Sequence, residues 1–224
     1  MRVGVQEGHA AWAGVYDEAP NPALALERRT VEPWLGSLRG TVFLDVACGT
    51  GRWGRFAAQQ GARVVGADFC APMVHRAVEG ARSCQQFVIA DALRLPFRDR
   101  FADVSVCAFA AGYLASPSAL LAELKRVTAD GGRVLVTDLH PAAIRSGWRR
   151  SFRRAGEVYE IDHRAHPVAE YLECAREFGL ALEHLAEPAF GEPERAIFRE
   201  RGVEDRFDAV CRVSAIFAAL WRVV

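Results

Sequence analysis

The sequence predicts an α/β fold in which a seven-stranded, mostly parallel sheet is covered by helices on both faces. Two observations carry this prediction. Short apolar segments of strand character alternate with segments of helical periodicity between residues 41 and 140. The turn Gly49-Thr50-Gly51 follows the first apolar segment and precedes the first helix, at the edge where open α/β sheets bind ligands. With 224 residues, 51% of them apolar, the chain has the size of a single domain with one core.

Residues 1–40 are predicted to form a helical segment that precedes the core. Asn21 is placed to cap a helix whose first position is Pro22, and Pro33 and Gly36 are expected to interrupt or close that helix. The alternating core then follows. Its strands are expected at residues 41–47, 63–68, 86–91, 103–109 and 133–139, and its helices at 52–60, 71–79 and 118–127.

The alternation ends at Pro141. Residues 141–166 are arginine-rich and lack periodicity, which predicts an irregular insertion over the sheet. Regular structure is expected to resume with a helix at 168–178, closed by Gly179, and with strands at 180–190 and 210–223. The charged segment 191–208 is expected to connect these last two strands.

Composition argues against several classes of partner. Lysine plus arginine and aspartate plus glutamate both number 28, so no basic excess points to nucleic acid or an anionic membrane. The N-terminus is too polar for a signal peptide, and no apolar stretch is long enough to span a bilayer. The six cysteines show no metal-type spacing, which indicates reduced thiols and a cytoplasmic location. The sequence leaves open whether the chain forms a homodimer.

Three glycines and an acid point to a nucleotide-like ligand. Gly49, Gly51 and Gly54 form a G-x-G-x-x-G pattern, which is typical of turns that lie against a nucleotide. Asp68 ends the second strand 19 residues after Gly49, where a carboxylate can accept hydrogen bonds from ribose hydroxyls. These features fit either a dinucleotide or S-adenosylmethionine (SAM), and tight turns also need glycine for structural reasons alone.

Two further acids favour SAM. Asp45 directly precedes the glycine turn, where its carboxylate would repel a pyrophosphate but attract the ammonium and sulfonium groups of SAM. Asp91 follows the third strand, where it is placed to accept a hydrogen bond from an adenine amino group bordered by Ala92 and Leu93. Acids at three successive strand ends therefore outline a positively charged nucleoside.

Residues 42–139 resemble the class I SAM-dependent methyltransferases, particularly the small-molecule group akin to ubiquinone/menaquinone methyltransferases. The segment FLDVACGTGRW is similar to the first motif of that family, VVGAD to the second, IADALRLPF to the third, and FADVSVCAFAAGYL and VTADGGRVLVTD to later ones. The resemblance implies a Rossmann-like sheet whose last strand is antiparallel. It also implies one methyltransferase domain over 1–224, with a SAM-binding core at 41–140, a cap made of 1–40 and 141–166 over the carboxyl strand ends, and a C-terminal segment at 167–224.

The same resemblance implies which residues hold SAM. Cys107 and Ala108, at the end of the fourth strand, are expected to line the methionine end. The whole expected SAM-binding set is Asp45, Ala47, Gly49, Thr50, Gly51, Asp68, Phe69, Asp91, Ala92, Cys107 and Ala108. The chain departs from its relatives in having Gly112-Tyr113-Leu114 where they often carry histidine or asparagine. It also lacks the [DNS]PPY signature of amino-group methylation on nucleobases and glutamine.

His140 and Tyr113 are the candidate catalytic residues. His140 follows the fifth strand at the ligand-binding edge, where it could remove a proton from a hydroxyl or thiol acceptor. The candidate substrate-binding residues are Tyr16, Tyr159 and His163. The arginine cluster favours a solvated surface over an anion site; it comprises Arg145, Arg149, Arg150, Arg153 and Arg154. No metal is predicted, because no carboxylate or cysteine completes a set with the histidines.

The predicted function is methyl transfer from SAM to a small-molecule O, N, S or C acceptor, with S-adenosylhomocysteine (SAH) as product. Alignment and exclusion of water supply much of the catalysis, because positive sulfur already activates the methyl carbon. Two alternatives stay open. An NAD(P)-dependent oxidoreductase would leave Asp45 and Asp91 unexplained, and a non-catalytic SAM-binding regulatory protein is separated from an enzyme only by turnover.

Overall fold

The computed structural model describes residues 1–224 as two sheets and nine α-helices. The strands are β1 (Arg2–Val3), β2 (Val42–Val46), β3 (Arg63–Asp68), β4 (Gln85–Ile89), β5 (Ala102–Ala108), β6 (Thr128–Leu139), β7 (Ser151–Arg154), β8 (Glu157–Ile161), β9 (Leu180–Ala186) and β10 (Ile216–Val223). The helices are α1 (Val5–Trp12), α2 (Pro22–Leu35), α3 (Arg52–Gln59), α4 (Ala71–Glu79), α5 (Pro117–Val127), α6 (Pro141–Arg145), α7 (Val168–Glu177), α8 (Glu192–Glu200) and α9 (Glu204–Val210).

The main sheet contains seven strands in the order β4-β3-β2-β5-β6-β10-β9. β10 runs antiparallel to both of its neighbours, and the other six strands run parallel to one another. The predicted seven-stranded, mostly parallel sheet with an antiparallel last strand is therefore confirmed. Because parallel strands end at the same edge, the loops that follow β2 to β6 gather on one side of the molecule.

Both faces of the main sheet are buried, which explains why its strands are continuous apolar runs in the sequence. Successive side chains alternate between two cores. In β2, Leu44 packs on one face with α5 and α7, and Phe43 packs on the other face with α2 and α3. Burial of each such side chain is worth about 1.5–3 kcal/mol, so these two layers dominate the stability of the fold.

α2 packs in the main core, although the prediction assigns residues 1–40 to a cap. The Asn21 side chain caps this helix, as expected, by accepting a hydrogen bond from the Ala23 amide at 3.0 Å. Pro33 lies within the helix without ending it. Val31 and Leu35 are fully buried against the sheet, because the apolar stripe of α2 faces it. Only the first turn of α2 reaches the ligand-binding edge.

β1, β8 and β7 form a second, three-stranded sheet, and α1 packs against it. Phe152 on β7 stacks between Trp12 on α1 and Tyr159 on β8, with ring centroids 5.0 Å apart in both pairs. Gly8 on α1 lies directly against Ile161 on β8. The N-terminal arm and the β7–β8 hairpin are therefore one packed unit, called the small sheet unit below.

Three segments differ from their predicted structure. Residues 141–166 contain α6 and the β7–β8 hairpin, because Phe152 and Ile161 give this stretch a buried face. Residues 191–208 contain α8 and most of α9. At the start of α8 the Glu194 side chain accepts a hydrogen bond from the Gly191 amide at 2.8 Å, which satisfies one of the free amides of the first turn. The last strand begins at Ile216, since the residues up to 210 complete α9.

All six cysteines are free thiols. Cys48, Cys70 and Cys107 are buried. None of the nine helices combines the length and the apolar composition that crossing a membrane would require.

Candidate functional site

A cavity of about 1160 Å³ lies at the carboxyl ends of the parallel strands. The loops that follow β2, β3, β4 and β5 form one wall. The opposite wall comes from the small sheet unit, the first turn of α2, the loop before β7, and the α8–α9 region. A recess of about 40 Å³ adjoins this cavity. The residues that border both spaces are Tyr16, Leu24, Ala47, Gly49, Ala108 and Phe109.

The turn after β2 presents bare backbone to the cavity. Ala47 and Gly49 both have φ of 54°, in the left-handed region that favours glycine. A Cβ atom on Gly49 would meet no other atom within 4 Å, so this backbone faces open space. Gly51, with φ of 83°, starts α3 and does not border the cavity. The turn therefore exposes its peptide groups to a ligand at residues 47–49.

Asp68 ties the end of β3 to the glycine turn. Its Oδ2 accepts a hydrogen bond from the Gly49 amide at 2.8 Å, and its Oδ1 accepts one from the Cys70 amide at 2.8 Å. Burial raises the pKa of Asp68, while these two amides oppose that rise. The carboxylate borders the cavity, so it shapes the turn and faces any ligand at the same time.

Asp45 is buried behind the same turn. Its Oδ2 accepts a hydrogen bond from the Gly54 amide in α3 at 2.9 Å, and the side chain borders the small recess instead of the main cavity. Burial raises the pKa of Asp45 to about 7, although the Gly54 amide and the Arg52 guanidinium act in the opposite direction. Of the three strand-end acids, Asp45 is therefore the one shielded from the main cavity.

Asp91 lies at the exposed end of the cavity. Its Oδ1 accepts a hydrogen bond from the Leu93 amide at 2.9 Å. Phe69 and Ala92 border the cavity beside it, and 38% of the surface of Phe69 is exposed. Asp91 and Ala92, two of the three residues predicted for the adenine end, therefore border the cavity, whereas Leu93, the third, does not.

Comparisons with known proteins show similarity to methyltransferases in sequence and in fold. Residues 44–136 match the family model described as a methyltransferase domain. A demethylmenaquinone methyltransferase from Thermus thermophilus is 42% identical over 103 residues, which cover 44% of this chain and 47% of that protein. A SAM-dependent methyltransferase from Mesorhizobium loti has the same fold, with a TM-score of 0.70 at 20% identity, covering 90% of this chain and 100% of that one.

Residues 44–136 of this chain therefore match a methyltransferase domain, within a fold that the chain shares with a SAM-dependent methyltransferase. A malonyl-[acyl-carrier protein] O-methyltransferase from Serratia marcescens is also similar, at 32% identity over 130 residues, covering 57% of this chain and 49% of that protein. The chain therefore spans about half the length of the curated relatives it matches. The family match runs from β2 to β6, so the small sheet unit and the α8–α9 region of this methyltransferase domain lie outside it.

The methyltransferase domain brings most of the predicted SAM-binding residues to one cavity. Those that border it are Ala47, Gly49, Asp68, Phe69, Asp91, Ala92 and Ala108. Asp45 and Thr50 border the adjoining recess, where the Thr50 hydroxyl donates to Asp17 Oδ1 at 3.1 Å. Cys107 was expected at the methionine end, but it is fully buried in the sheet core, because its side chain points away from the edge.

His140 does not border the cavity, in contrast to its predicted catalytic position. Its Nδ1 accepts a hydrogen bond from the Ala142 amide at 3.0 Å, which makes it the N-cap of α6. Its Nε2 lies 2.7 Å from Glu187 Oε2. Both ring nitrogens of His140 are therefore occupied by structural contacts. His140, which follows β6, caps the start of α6 and does not contribute to the cavity.

The predicted substrate-binding residues divide into two groups. Tyr16 borders the cavity, as does the catalytic candidate Tyr113. Tyr159 lies behind Phe152, one ring layer away from the cavity. His163 is also outside the lining, and its Nδ1 lies 3.1 Å from the Ile161 carbonyl oxygen. The hairpin turns these last two side chains away from the cavity, an orientation that the aperiodic sequence did not reveal.

Arg150 borders the cavity and forms a buried ion pair with Asp138, which lies behind the lining. Arg150 also donates to the Phe109 carbonyl oxygen, and its guanidinium lies 4.5 Å from the centre of the Tyr113 ring. Burial raises the pKa of Tyr113. The prediction that Arg150 lies on a solvated surface is wrong. Arg150 is buried, because Asp138 at the end of β6 pairs with its charge.

The cap region also supplies site residues that the sequence reasoning missed. His9 and Trp12 reach the cavity from α1, Trp148 from the loop before β7, and Phe198 from α8. Their sequence neighbourhoods carry no motif, so only the packing identifies them. Three arginines of the lining form no ion pair with a carboxylate, which makes this end of the cavity attractive to anions; they are Arg153, Arg201 and Arg206.

Proposed function

We propose that the chain catalyses methyl transfer from SAM to a small-molecule acceptor, with SAH as the second product. The observation that carries this proposal is a continuous cavity with two chemically different ends. The glycine turn and two strand-end acids line one end, and aromatic and cationic side chains line the other. The free cysteines support a cytoplasmic location, where thiols stay reduced.

Asp68 and Asp91 suit the polar groups of an adenosine. Each carboxylate oxygen has two lone pairs, so Asp68 can hold the Gly49 amide and still accept hydrogen bonds from ribose hydroxyls. Asp91 uses Oδ1 for the Leu93 amide, and its Oδ2 is left for an adenine amino group. Phe69 would offer apolar contact to the purine.

The bare backbone at residues 47–49 suits the methionyl part of SAM. The left-handed conformation of Ala47 and Gly49 turns the peptide groups toward the cavity, and no side chain fills the space beside Gly49. Asp45 would add negative charge from the adjoining recess when it is ionised. This part of the chain therefore fits an amino acid moiety that carries an ammonium group.

The other end of the cavity has room for an acceptor. Pockets for one small molecule typically measure about 300–1000 Å³, and this cavity of about 1160 Å³ exceeds that range. Phe109, Trp148 and Phe198 offer flat apolar surfaces, and the unpaired arginines offer positive charge. We expect the acceptor to be a ring-bearing or otherwise apolar small molecule with an anionic group.

Alignment and exclusion of water are the tasks of the protein in this reaction. SAM supplies a methyl carbon that is already activated by positive sulfur. The small sheet unit covers the strand ends, so both ligands would react between two walls and out of bulk water. The ion pair with Asp138 holds the Arg150 side chain in the cavity wall.

Binding of SAM to an Asp68→Ala variant tests the donor site. We expect isothermal titration calorimetry to show a dissociation constant at least tenfold higher than that of the wild type, because a charge-assisted hydrogen bond is worth about 1.5–3 kcal/mol. Asp130→Ala is the matched control, since Asp130 is an exposed acid paired with Arg100. An unchanged affinity for SAM in Asp68→Ala would remove Asp68 from the site.

Turnover is measured as SAH formation with naphthol, thiophenol, aniline and naphthohydroquinone as acceptors. Product formation with any of them supports the proposed function. Tight binding of NADH without binding of SAM would favour the oxidoreductase alternative. Binding of SAM with no SAH formed from any acceptor would favour the regulatory alternative.

A further inference from the structure

His9 borders the middle of the cavity. Its ring centroid lies 6.4 Å from that of Phe69, at the proposed donor end, and 4.8 Å from that of Tyr113, on the wall beside Arg150. It is the only histidine in the lining. A group that lies between the two ends of the cavity is positioned where donor and acceptor would meet.

A backbone contact determines the tautomer of His9. Its Nδ1 lies 2.7 Å from the Val5 carbonyl oxygen. A carbonyl oxygen only accepts hydrogen bonds, so Nδ1 carries the proton and the lone pair of the neutral ring is on Nε2. Nε2 makes no hydrogen bond with the protein and is available to a ligand.

The surroundings keep His9 neutral near pH 7. Burial lowers the pKa of His9, the nearby Asp68 carboxylate acts against this, and the Arg150 guanidinium adds to it. The phenols of Tyr16 and Tyr113, which border the same space, stay protonated because burial raises the pKa of both. Among these groups, only the neutral imidazole of His9 has a lone pair basic enough to take up a proton near pH 7.

We propose that His9 is the general base of the reaction and that the acceptor is therefore a hydroxyl or a thiol compound. The proton of the acceptor O–H or S–H moves to Nε2 of His9. The freed lone pair of the oxygen or sulfur forms the bond to the methyl carbon, and the bond from that carbon to the sulfonium breaks with its electron pair left on sulfur. The imidazolium then loses its proton to water. This inference rests on the proposed function.

The pKa of the His9 imidazole, measured by NMR in the SAM complex and in the SAH complex, tests its position without an acceptor. The two ligands differ by the methyl group and the positive charge on sulfur. We expect the pKa of His9 to be lower by about one pH unit in the SAM complex, because a positive charge within a few ångströms disfavours the imidazolium. His75, exposed on α4, is the control and should titrate alike in both complexes. Equal pKa values for His9 in the two complexes would overturn the proposal.

The His9→Asn variant tests the chemistry. We expect kcat for SAH formation with naphthol or thiophenol to fall by about 10²–10⁴-fold, while the SAM dissociation constant changes less than threefold. In the wild type, kcat should rise with pH through the pKa of His9, since only the neutral ring accepts a proton. The variant should lose this rise, and His75→Asn should keep it.

The possible failures are distinguishable. If the wild type does not bind SAM, the proposed function fails. If it binds SAM and methylates only aniline, the proposed function stands and the inference about His9 and its acceptor class is overturned. A His9→Asn variant that retains the wild-type kcat and pH profile overturns the inference as well.

Discussion

The three aspartates at the strand ends differ in how they face the cavity, because they are buried to different extents. Asp91 is exposed at the cavity end, Asp68 is largely buried but faces the cavity, and Asp45 is buried behind the glycine turn. The sequence marked all three acids by their position at strand ends. It did not show that Asp45 is shielded, since shielding depends on α3 packing over it.

Asp45→Asn should stabilise the protein more at pH 8 than at pH 5. Burial raises the pKa of Asp45 from an ordinary value of 3.8 to about 7, so folding favours the protonated carboxyl. The wild type is therefore penalised as the pH rises toward 7, and the penalty is constant above that pH. We expect the gain in the free energy of unfolding to be larger at pH 8 by roughly 2–3 kcal/mol.

Chemical denaturation of both proteins at the two pH values measures this difference. Asp205→Asn is the control, because Asp205 is an exposed aspartate without an ion pair. An Asp45→Asn effect that is the same at both pH values would mean that Asp45 titrates in the folded protein as it does in the unfolded chain.

At the scale of elements, the small sheet unit decides which side chains face the donor site. α1 has only eight residues, which is too short to be stable alone, so its packing on β8 holds it in position. Helix caps with clear sequence signals, such as Asn21 with Pro22, were predicted correctly. The β7–β8 hairpin was missed because its strands are short and rich in charged residues, and their buried face is evident only beside Trp12 and Val3.

Gly8→Val should detach α1 from the small sheet unit. A Cβ atom at this position would lie 2.6 Å from Ile161 Cγ1 and 3.0 Å from Val3 Cγ2. We expect hydrogen exchange of the α1 amides to become at least tenfold faster, an effect of about 1.4 kcal/mol or more, while β2 to β6 are unchanged. Intrinsic helix propensity alone predicts slower hydrogen exchange of the α1 amides in Gly8→Val, because valine is a better helix former than glycine.

Gly14→Val is the matched control for this substitution. Gly14 follows α1, and a Cβ atom there would meet no other atom within 4 Å. Protection of α1 in Gly8→Val equal to that in Gly14→Val would show that the contact with β8 does not hold the helix.

At the scale of the whole molecule, the cavity joins segments that are far apart in the chain. Its walls come from residues within the family match at 44–136 and from segments on both sides of that match. A ligand that binds between these walls stabilises the native state but not the unfolded chain, so its binding is measurable as a change in thermal stability.

SAM should raise the melting temperature of the protein, and NADH should leave it unchanged. At a SAM concentration of 100 times the dissociation constant, the expected stabilisation is about 2.7 kcal/mol, which corresponds to roughly 5–11 °C for a domain of this size. Differential scanning fluorimetry measures the change, and Asp68→Ala should require a higher SAM concentration for the same effect. A rise with NADH in place of SAM would contradict the predicted donor.

The sequence by itself determined the sheet and most of the residues at the proposed donor end of the cavity. The glycine turn after β2 and the acids at strand ends are short-range features, and buried parallel strands leave a plain apolar signal. Only the tertiary structure decided which side chains line the rest of the cavity. His9 lies against Tyr113 through the packing of α1 on β8, and His140 becomes a helix cap through the Ala142 amide. Such contacts join residues that no periodicity links, so they exist only once the chain has folded.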